Sequence, residues 1–349
     1  MSFKIGQREI GEGQPVFIIA ELSANHGGDI EIALNTLKAM KNAGADAVKL
    51  QTYTADTLTI DSDKDDFKIH HGTIWDGITL YKLYQEAYTP WEWQPKLKQA
   101  ADDLGLECFS SPFDKSAVDF LEKMNVPAYK IASFEITDIP LIEYTASKGK
   151  PIIISTGIAE MKDIEEALQA CRKANNNEIA LLKCTSSYPA PMEEINLRTI
   201  PDMKSRFKVE IGLSDHTLGF TIPAAAVALG ATIIEKHFIL DKSIGGPDAS
   251  FSLTPDEFKQ MVNSVRDTEK ALGKITYELS EKTKSSSAFS RSLYIVKDVK
   301  EGEIFSEENV KSIRPGFGMH PRHLKEILGK RAKCNIEKGT RFNWDLVNE

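Results

Sequence analysis

The chain is poor in cysteine, with 4 in 349 residues, and none of the four forms a C-x-x-C pair. Cys108, Cys171, Cys184 and Cys334 are scattered along the sequence. This distribution disfavours a zinc ribbon or a disulfide scaffold and favours reduced thiols that are mainly structural. Cys184 lies near the end of a predicted strand, so a nucleophilic role for its thiol remains an alternative.

Long apolar runs are also absent. No stretch approaches the roughly 18 apolar residues of a membrane-spanning helix, and the N-terminal segment has no apolar core of signal-peptide length. We therefore expect a soluble, cytoplasmic protein with no membrane partner. A net charge of −8 and a pI near 5.6 disfavour nucleic acid as the main partner. An anionic substrate would need a local basic pocket in this acidic chain.

Short apolar runs rich in Val, Ile and Phe recur over residues 16–238. Segments such as 29–43, whose apolar residues recur at helical spacing, separate these runs. A strand followed by a helix, repeated eight times, predicts an α/β fold, the (β/α)8 TIM barrel of about 250 residues. The predicted strands are 16–22, 47–52, 106–111, 128–133, 151–156, 179–185, 209–216 and 232–238.

Polar or ionisable residues stand at or just after the carboxyl ends of these strands. They include Glu21, Lys49, Gln51, Ser111, Lys130, Ser133, Glu135, Ser155, Ser186, His216 and His237. Any one of them could simply start a turn or cap a helix. Lysines and histidines are costly to bury without partners, however, and active sites of TIM barrels lie at this end of the strands. The collection predicts a catalytic barrel mouth.

The composition changes after about residue 273. We assign residues 1–273 to the barrel, and residues 274–290, which are polar and serine-rich, to a linker. Residues 291–349 alternate short strand-like runs with turns and predict a small, mainly β module. Its RPGFGMHP segment predicts a stiff loop that presents Arg314, although an incidental surface turn is the alternative.

A long insertion, residues 56–93, separates the second and third predicted strands. Its many aromatic residues predict an ordered flap over the barrel mouth. The adjacent His70 and His71 raise the alternative of a metal site in this flap, although adjacent histidines in a polar loop are more often solvated.

Two histidines close neighbouring predicted strands. His216 and His237 should lie within reach of one cation, and two imidazoles with open positions make a Lewis-acid site for a borderline divalent metal. A hydrogen-bonded histidine pair, or one histidine acting as acid or base, is the alternative. Asp215 and Glu235, beside them in sequence, would then orient the two rings as hydrogen-bond acceptors.

Two lysines and several serines surround the same end of the barrel. Lys49 and Lys130, with their neighbouring hydroxyls, suit phosphate and carboxylate oxygens. A Schiff-base lysine, which would make the protein a lyase, is the competing interpretation. The carboxylates Glu21, Glu135 and Asp248 complete the ring as general acids or bases, or as ligands of sugar hydroxyls.

Several of these segments together resemble one enzyme family. The segments are IIAELSANHGGD, GADAVKLQTYT, FSSPFD, YKIASFE, IISTGIA, LLKCTSSYP, IGLSDHTLG, IEKHFILD, FSRSLY and RPGFGMHP. They are similar to the sialic acid synthases, which condense phosphoenolpyruvate with an N-acetylated amino sugar to a nonulosonic acid and release phosphate. The resemblance implies a TIM barrel followed by an antifreeze-like (SAF) domain, and a metal-assisted aldol-like condensation with C–O cleavage.

The resemblance also implies a metal and an anion site. His216 and His237 would bind a divalent ion, usually Mn²⁺, with Mg²⁺ or Co²⁺ as alternatives. The residues that would hold phosphoenolpyruvate are Lys49, Ser111, Lys130, Ser133, Ser155 and Ser186. Ser186 stands where many relatives have asparagine.

The remaining implied residues face the sugar or the reacting carbons. They are Glu21, Gln51, Glu135, Tyr188 and Asp248, with Phe289 bordering the pocket. In this family the SAF domain reaches the barrel of a second subunit, so that its arginine, here Arg314, touches the sugar there. The resemblance therefore implies a domain-exchanged homodimer.

Within the family, ELSANH, KCTS and the insertion resemble the branch that makes pseudaminic acid. The sugar of that branch is 2,4-diacetamido-2,4,6-trideoxy-L-altrose. N-acetylneuraminate and legionaminate synthases share the motifs and are the first alternative. A Schiff-base pyruvate lyase and a non-enzymatic carbohydrate-binding protein are the others.

Overall fold

The computed structural model describes residues 2–70 and 76–348. The chain divides into two compact units, Met1–Gly273 and Lys274–Glu349. Within the described ranges, no helix is long and apolar enough to cross a membrane.

The first unit is built on a closed barrel of eight parallel strands, β3 to β10, in which each strand pairs with its neighbours in sequence and β10 pairs with β3. The prediction of a TIM barrel is confirmed, and each predicted strand overlaps an observed one. The strands are β3 (Phe17–Glu21), β4 (Ala47–Thr52), β5 (Glu107–Pro112), β6 (Tyr129–Ile131), β7 (Ile152–Ser155), β8 (Ile179–Cys184), β9 (Glu210–Asp215) and β10 (Ile233–His237).

Helices follow the strands and bury one apolar face against them. In the first, α1, Asp29 caps the amino end by accepting a hydrogen bond from Glu31 N, and Gly44 ends the helix at a φ of 95°. The helices of this unit are α1 (Ile30–Ala43), α2 (Ala55–Leu58), α3 (Leu80–Ala87), α4 (Gln94–Asp103), α5 (Lys115–Lys123), α6 (Ile139–Ala146), α7 (Met161–Lys173), α8 (Thr199–Phe207), α9 (Thr221–Ala228) and α10 (Pro255–Leu272).

An antiparallel hairpin precedes the barrel and was not predicted. Its strands are β1 (Phe3–Ile5) and β2 (Arg8–Ile10). Phe3, Ile5 and Ile10 are buried in the same apolar core as the barrel strands. Strands of three residues are too short to produce a readable alternation, which explains the omission.

The insertion between β4 and β5 contains α2 and α3, and an isolated antiparallel bridge joins Lys68 to Thr79. The ring of Tyr84, on α3, packs edge-on against Tyr53, with centroids 5.8 Å apart. Because Tyr53 directly follows β4, α3 lies near the carboxyl end of that strand. His70 is exposed, and His71 lies outside the described residues.

The second unit is less regular than the predicted β module. Over residues 274–348 it has one two-stranded sheet, of β11 (Ser292–Ile295) and β12 (Val310–Ile313), two short helices, α11 (Glu281–Ser286) and α12 (Leu324–Ile327), and several isolated β-bridges. Its own small core includes Leu293, Ile295 and Phe305. Residues 274–290, which the sequence predicts to be a linker, contain α11 and a 3-10 turn, Ser287–Phe289.

Candidate active site

Most of the polar residues predicted for the barrel mouth are buried there together. Glu21, Lys49, Ser111, Lys130, Ser133 and Ser155 are each at most 6% exposed. They lie on β3 to β7 or just beyond the carboxyl ends of these strands. Burial of this many ionisable groups is tolerated only when the charges are paired or held ready for a ligand.

Two lysines share one carboxylate at the centre of the site. Lys49 Nζ lies 3.1 Å from Glu235 Oε1, and Lys130 Nζ lies 3.3 Å from the same oxygen. Although burial alone would raise it, these ammonium groups lower the pKa of Glu235 to about 2. Glu235 is therefore an anion, and its contacts hold the ends of both lysine side chains at one place in the barrel.

Lys49 has a second carboxylate partner. Its Nζ lies 2.5 Å from Glu21 Oε2, and Gln51 Nε2 donates to Glu21 Oε1 at 3.0 Å. Burial lowers the pKa of Lys49 to about 8, against the opposing charge of Glu235. Glu235 thus opposes the loss of charge on Lys49, and the two oxygens of Glu21 contact Lys49 and Gln51.

Serine hydroxyls line the mouth next to the lysines. Ser133 Oγ and Ser186 Oγ are 2.7 Å apart, and Gly157 N donates to Ser133 Oγ at 3.1 Å. A Cβ atom at Gly157 would lie 2.0 Å from Ser186 Oγ, so only glycine leaves this space open. Ser155 Oγ is buried without a hydrogen-bond partner, which suits a hydroxyl that awaits a ligand oxygen.

The two predicted metal-binding histidines lie side by side, with ring centroids 5.4 Å apart. His216 Nδ1 is 3.1 Å from Thr185 O, which places a proton on Nδ1 and leaves Nε2 as a lone-pair donor. His237 Nδ1 is buried without a hydrogen bond, and burial holds the pKa of His237 well below its ordinary value. A neutral imidazole is the form that binds a metal.

The expected orienting roles of Asp215 and Glu235 are wrong. Asp215 accepts from Lys236 Nζ and from Thr217, and Glu235 holds Lys49 and Lys130. Successive side chains of a strand point to opposite faces, so Asp215 cannot share the inward face with His216. The backbone carbonyl of Thr185 orients His216 instead.

Phe251 and Tyr188 form an aromatic wall around the histidines. The centroid of Phe251 lies 5.0 Å from that of His237, and the centroid of Tyr188 lies 4.6 Å from that of His216. Tyr188 also has a hydrogen bond with Ser186, and burial raises the pKa of its phenol. This wall keeps water away from one side of the two imidazoles.

Glu135 and Asp248 are the other two carboxylates of the predicted set. Glu135 Oε2 is buried without a hydrogen-bond partner, and burial raises the pKa of Glu135 to about 7. Asp248 Oδ2 lies 3.7 Å from His237 Nδ1 and accepts from Ala24 N at 3.4 Å. Of these acids, Glu135 is the one suited to exchange a proton at neutral pH.

Cys184 also faces the site, with its Sγ 3.9 Å from His216 Nδ1. Burial opposes ionisation of this thiol, yet the hydrogen bond with His216 lowers the pKa of Cys184 to about 7. Because its nearest partners are a predicted metal ligand and Ser133, we regard Cys184 as part of the wall of the site.

Two predicted sugar-site residues belong to the second unit. Phe289 is 71% exposed, and Arg314 is exposed in the loop after β12. Their contact with a sugar stays a prediction.

The residues present fit a divalent metal held by two imidazoles. Within residues 2–70 and 76–348, no set of three or more His, Cys, Asp or Glu side chains forms a complete metal cage. His216 and His237 would therefore supply two ligands and leave positions for water and substrate, as a catalytic ion requires. The unpartnered His237 Nδ1 supports this fit.

Some residues of the site were not predicted from the sequence. They are Ser23, Gly157, Ser214 and Phe251, and Ser214 Oγ donates to Glu235 Oε1 at 3.2 Å. Ser214, on β9, lies two residues before His216, so the two side chains point to the same face of the strand. This alternation could have identified Ser214 from the sequence. The other three lie on loops, where no period predicts side-chain direction.

Comparison with known proteins gives two family matches. Residues 36–277 match the NeuB family, and residues 290–348 match the SAF domain. The barrel match therefore covers more than half of the chain.

Curated relatives resemble the chain over nearly its whole length. Pseudaminic acid synthase of Campylobacter jejuni subsp. jejuni serotype O:23/36 (strain 81-176) is 52% identical over 93% of this chain and 94% of the relative. Pseudaminic acid synthase of Helicobacter pylori is 46% identical over 96% of this chain and 98% of the relative. Among solved structures, spore coat polysaccharide biosynthesis protein SpsE of Bacillus subtilis has a TM-score of 0.68 and 35% identity, covering 100% of this chain and 99% of that one.

Proposed function

This chain belongs to the NeuB family, and from that premise we propose that it is the enzyme that condenses phosphoenolpyruvate with 2,4-diacetamido-2,4,6-trideoxy-L-altrose to pseudaminic acid. One observation carries the proposal: two buried lysines converge on a single carboxylate at the barrel mouth beside an unpartnered serine hydroxyl. Such a shell of point charges and short donors suits the phosphate and carboxylate of phosphoenolpyruvate.

Lys49 and Lys130 bind the anionic end of phosphoenolpyruvate in this proposal. Glu235 holds both ammonium groups from one side. The substrate oxygens would accept from the other N–H donors of Lys130 and, at Lys49, would replace the long contact of 3.5 Å to Ser111 Oγ. Ser155 Oγ, together with the Ser133 and Ser186 pair, supplies neutral donors to the same oxygens. Glu235 acts as a positioning residue, because it acts through the lysines.

His216 and His237 would hold the divalent metal, which we propose is Mn²⁺. When bound there, a divalent ion acts as a Lewis acid that polarises the aldehyde oxygen of the open-chain sugar. The Thr185 carbonyl fixes the ring of His216 for this task, and Phe251 packs against both rings.

Glu135 is the group we assign to proton transfer. As C3 of phosphoenolpyruvate bonds to the sugar aldehyde carbon, protonated Glu135 donates to the aldehyde oxygen, and cationic character develops at C2. Water then adds to C2 and gives a proton to the Glu135 carboxylate. The C2–O bond to phosphate breaks, and the proton of the new hydroxyl leaves with the phosphate.

Glu21 is less suited to this role. Both of its oxygens are occupied, one by Lys49 and the other by Gln51. Contacts with these two side chains leave neither oxygen of Glu21 directed at a reacting atom. We therefore assign Glu21 to holding Lys49 and Gln51 in place.

A Schiff-base pyruvate lyase is the second candidate, because burial lowers the pKa of Lys49 to about 8. The pairing of Lys49 with two carboxylates argues against it, since both contacts favour the ammonium form over the neutral amine. N-acetylneuraminate and legionaminate synthases would share the anion site and differ in the sugar.

The test is a phosphate-release assay with phosphoenolpyruvate and either the diacetamido altrose or N-acetylmannosamine, with Mn²⁺ or a chelator. We expect metal-dependent release with the altrose derivative and none with N-acetylmannosamine. Isothermal titration of Mn²⁺ into the wild type and His216→Ala should show one site that the variant loses. Chelator-resistant turnover trapped by borohydride would favour the lyase, and release with N-acetylmannosamine alone would favour a neuraminate synthase.

We further infer a cytoplasmic homodimer in which the SAF unit of one chain serves the barrel of the other. Arg314 and Phe289 are exposed on their own unit, so both are available to a second chain. An arginine on such a loop suits the polar oxygens of a sugar.

Subunit complementation tests this exchange. We expect Arg314→Ala and Lys49→Met homodimers each to be severely impaired. Mixed under subunit exchange, they should recover about a quarter of the wild-type rate, because half of the dimers then carry one intact site. No recovery, with mixed dimers detected by mass, would mean that each SAF unit serves its own barrel.

A further inference from the structure

Asp248 lies on a loop that contains two consecutive glycines. The loop follows β10, and both Gly245 and Gly246 adopt positive φ angles, of 72° and 101°. The Asp248 side chain is 13% exposed and lies beside His237. A carboxylate on such a loop needs external partners to keep one orientation.

The loop after β3 supplies those partners. Ser23 donates a side-chain hydrogen bond to Asp248, and Ala24 N donates to Asp248 Oδ2 at 3.4 Å. Asn25 Nδ2 donates to Phe238 O at 3.0 Å and to Ser252 Oγ at 2.8 Å. The consecutive residues Ser23, Ala24 and Asn25 therefore all donate hydrogen bonds to the segment between Phe238 and Ser252, which carries Asp248.

Ser23 makes its contact from an unfavourable backbone conformation. Its φ is 47°, in the left-handed region, and it is only 4% exposed. Asn25 N bonds to Leu22 O at 3.0 Å, which closes a tight turn around Ser23. Glycine accepts this conformation freely, whereas a serine there carries strain. The hydroxyl is what serine offers and glycine lacks.

We propose that Ser23 is a positioning residue for sugar recognition, holding the Asp248 carboxylate in the orientation in which it receives the amino sugar. The inference rests on the proposed function, in which Asp248 faces the sugar. It extends that function to a buried residue on a different loop. The phosphoenolpyruvate site, which lies on other strands, should not depend on Ser23.

The variants Ser23→Gly and Ser23→Ala distinguish the effect of the serine hydroxyl from the effect of the backbone strain. Both remove the hydrogen bond, while only glycine relieves the left-handed strain. We expect the KM for the sugar to rise about 10-fold or more in both variants, with the KM for phosphoenolpyruvate changed less than about twofold. Thermal midpoints should diverge, with Ser23→Gly at or above the wild type and Ser23→Ala below it.

Asn125→Gly is the matched control, because Asn125 also has a positive φ, 52°, and is exposed just after α5. It should keep both KM values. A double-mutant cycle with Asp248→Ala completes the test. In that background Ser23→Gly should add almost nothing to the kinetic loss, and Ser23→Ala, which keeps the left-handed strain, should add almost nothing to the loss in thermal unfolding.

A Ser23→Gly enzyme with a wild-type KM for the sugar, or effects that add fully in the cycle, would overturn the inference. A wild-type protein that releases no phosphate with phosphoenolpyruvate and the sugar contradicts the proposed function instead. The unfolding cycle between Ser23 and Asp248 then decides on the contact by itself, because it needs no turnover.

Discussion

Glu135→Gln should lower kcat by about 10²- to 10⁴-fold while leaving phosphoenolpyruvate bound, because a positioned general acid or base contributes that much to catalysis. Glutamine keeps the size of the side chain but cannot exchange a proton. The KM for phosphoenolpyruvate should stay within a few-fold, since Lys49 and Lys130 are untouched. Steady-state kinetics of phosphate release would measure both quantities. A kcat within threefold of wild type would contradict the assignment of Glu135.

The pH profile gives an independent check. Burial raises the pKa of Glu135 to about 7, so its proton is available below that pH and is lost above it. The kcat/KM of the wild type should therefore fall as pH rises through about 7, and again near 8, where Lys49 loses its charge. Glu135→Gln should lose the first step and keep the second. A profile unchanged by the substitution would assign the first step to another group.

The stability of the fold should fall over the same pH range. Because the folded pKa of Glu135 lies above its ordinary value of 4.5, the stabilising effect of its proton is complete below 4.5 and is lost as pH rises through about 7. Glutamine does not ionise, so the variant should lose less stability than wild type between pH 6 and 8. Melting curves over that range are the control, and they separate loss of a proton donor from loss of the fold.

The barrel could be predicted from sequence because each of its strands is a buried apolar run with a polar exit. The strand Ala47–Thr52 coincides with its prediction, and the others differ by a few residues at their ends. Lys49, Lys130, His216 and His237 could also be placed, since the carboxyl ends of parallel strands meet at one rim. Their pairing could not, because which carboxylate reaches which lysine depends on the closed barrel.

The incorrect roles of Asp215 and Glu235 show where nearness in sequence misleads. Glu235 and His237 are two apart on β10 and share its inward face, so Glu235 meets the lysines beside the histidine. Asp215 lies one residue before His216 and faces outward. Alternation along the strands carried this information. The contact between Ser23 and Asp248 had no comparable signal, because it joins two loops separated by most of the chain.

The second large effect concerns an ion pair between β9 and β10 that the mechanism does not use. Lys236 Nζ lies 2.5 Å from Asp215 Oδ2, and the two residues are 1% and 2% exposed. Thr217 N and Oγ1 donate to the same carboxylate at 3.0 and 3.1 Å. The residues are register partners in neighbouring strands, and each immediately precedes a predicted metal ligand. The pair therefore joins the two strand ends that carry His216 and His237.

Lys236→Met should destabilise the protein by about 3–5 kcal/mol, because it leaves a buried carboxylate without its cation. The barrel unit should melt roughly 10 °C lower, and Asp215→Asn should have a similar effect. The double variant Lys236→Met/Asp215→Leu replaces both charges with apolar groups and should regain most of the lost stability. Thermal unfolding measures all three variants.

If the double variant melts like wild type but binds Mn²⁺ more weakly, the ion pair also sets the spacing of the histidines. If it melts like wild type and binds Mn²⁺ equally well, the pair serves the fold alone, because strand pairing then suffices to place the two imidazoles. If Lys236→Met melts within a few degrees of wild type, the buried Asp215 carboxylate does not need Lys236 as its cation, and the prediction is wrong.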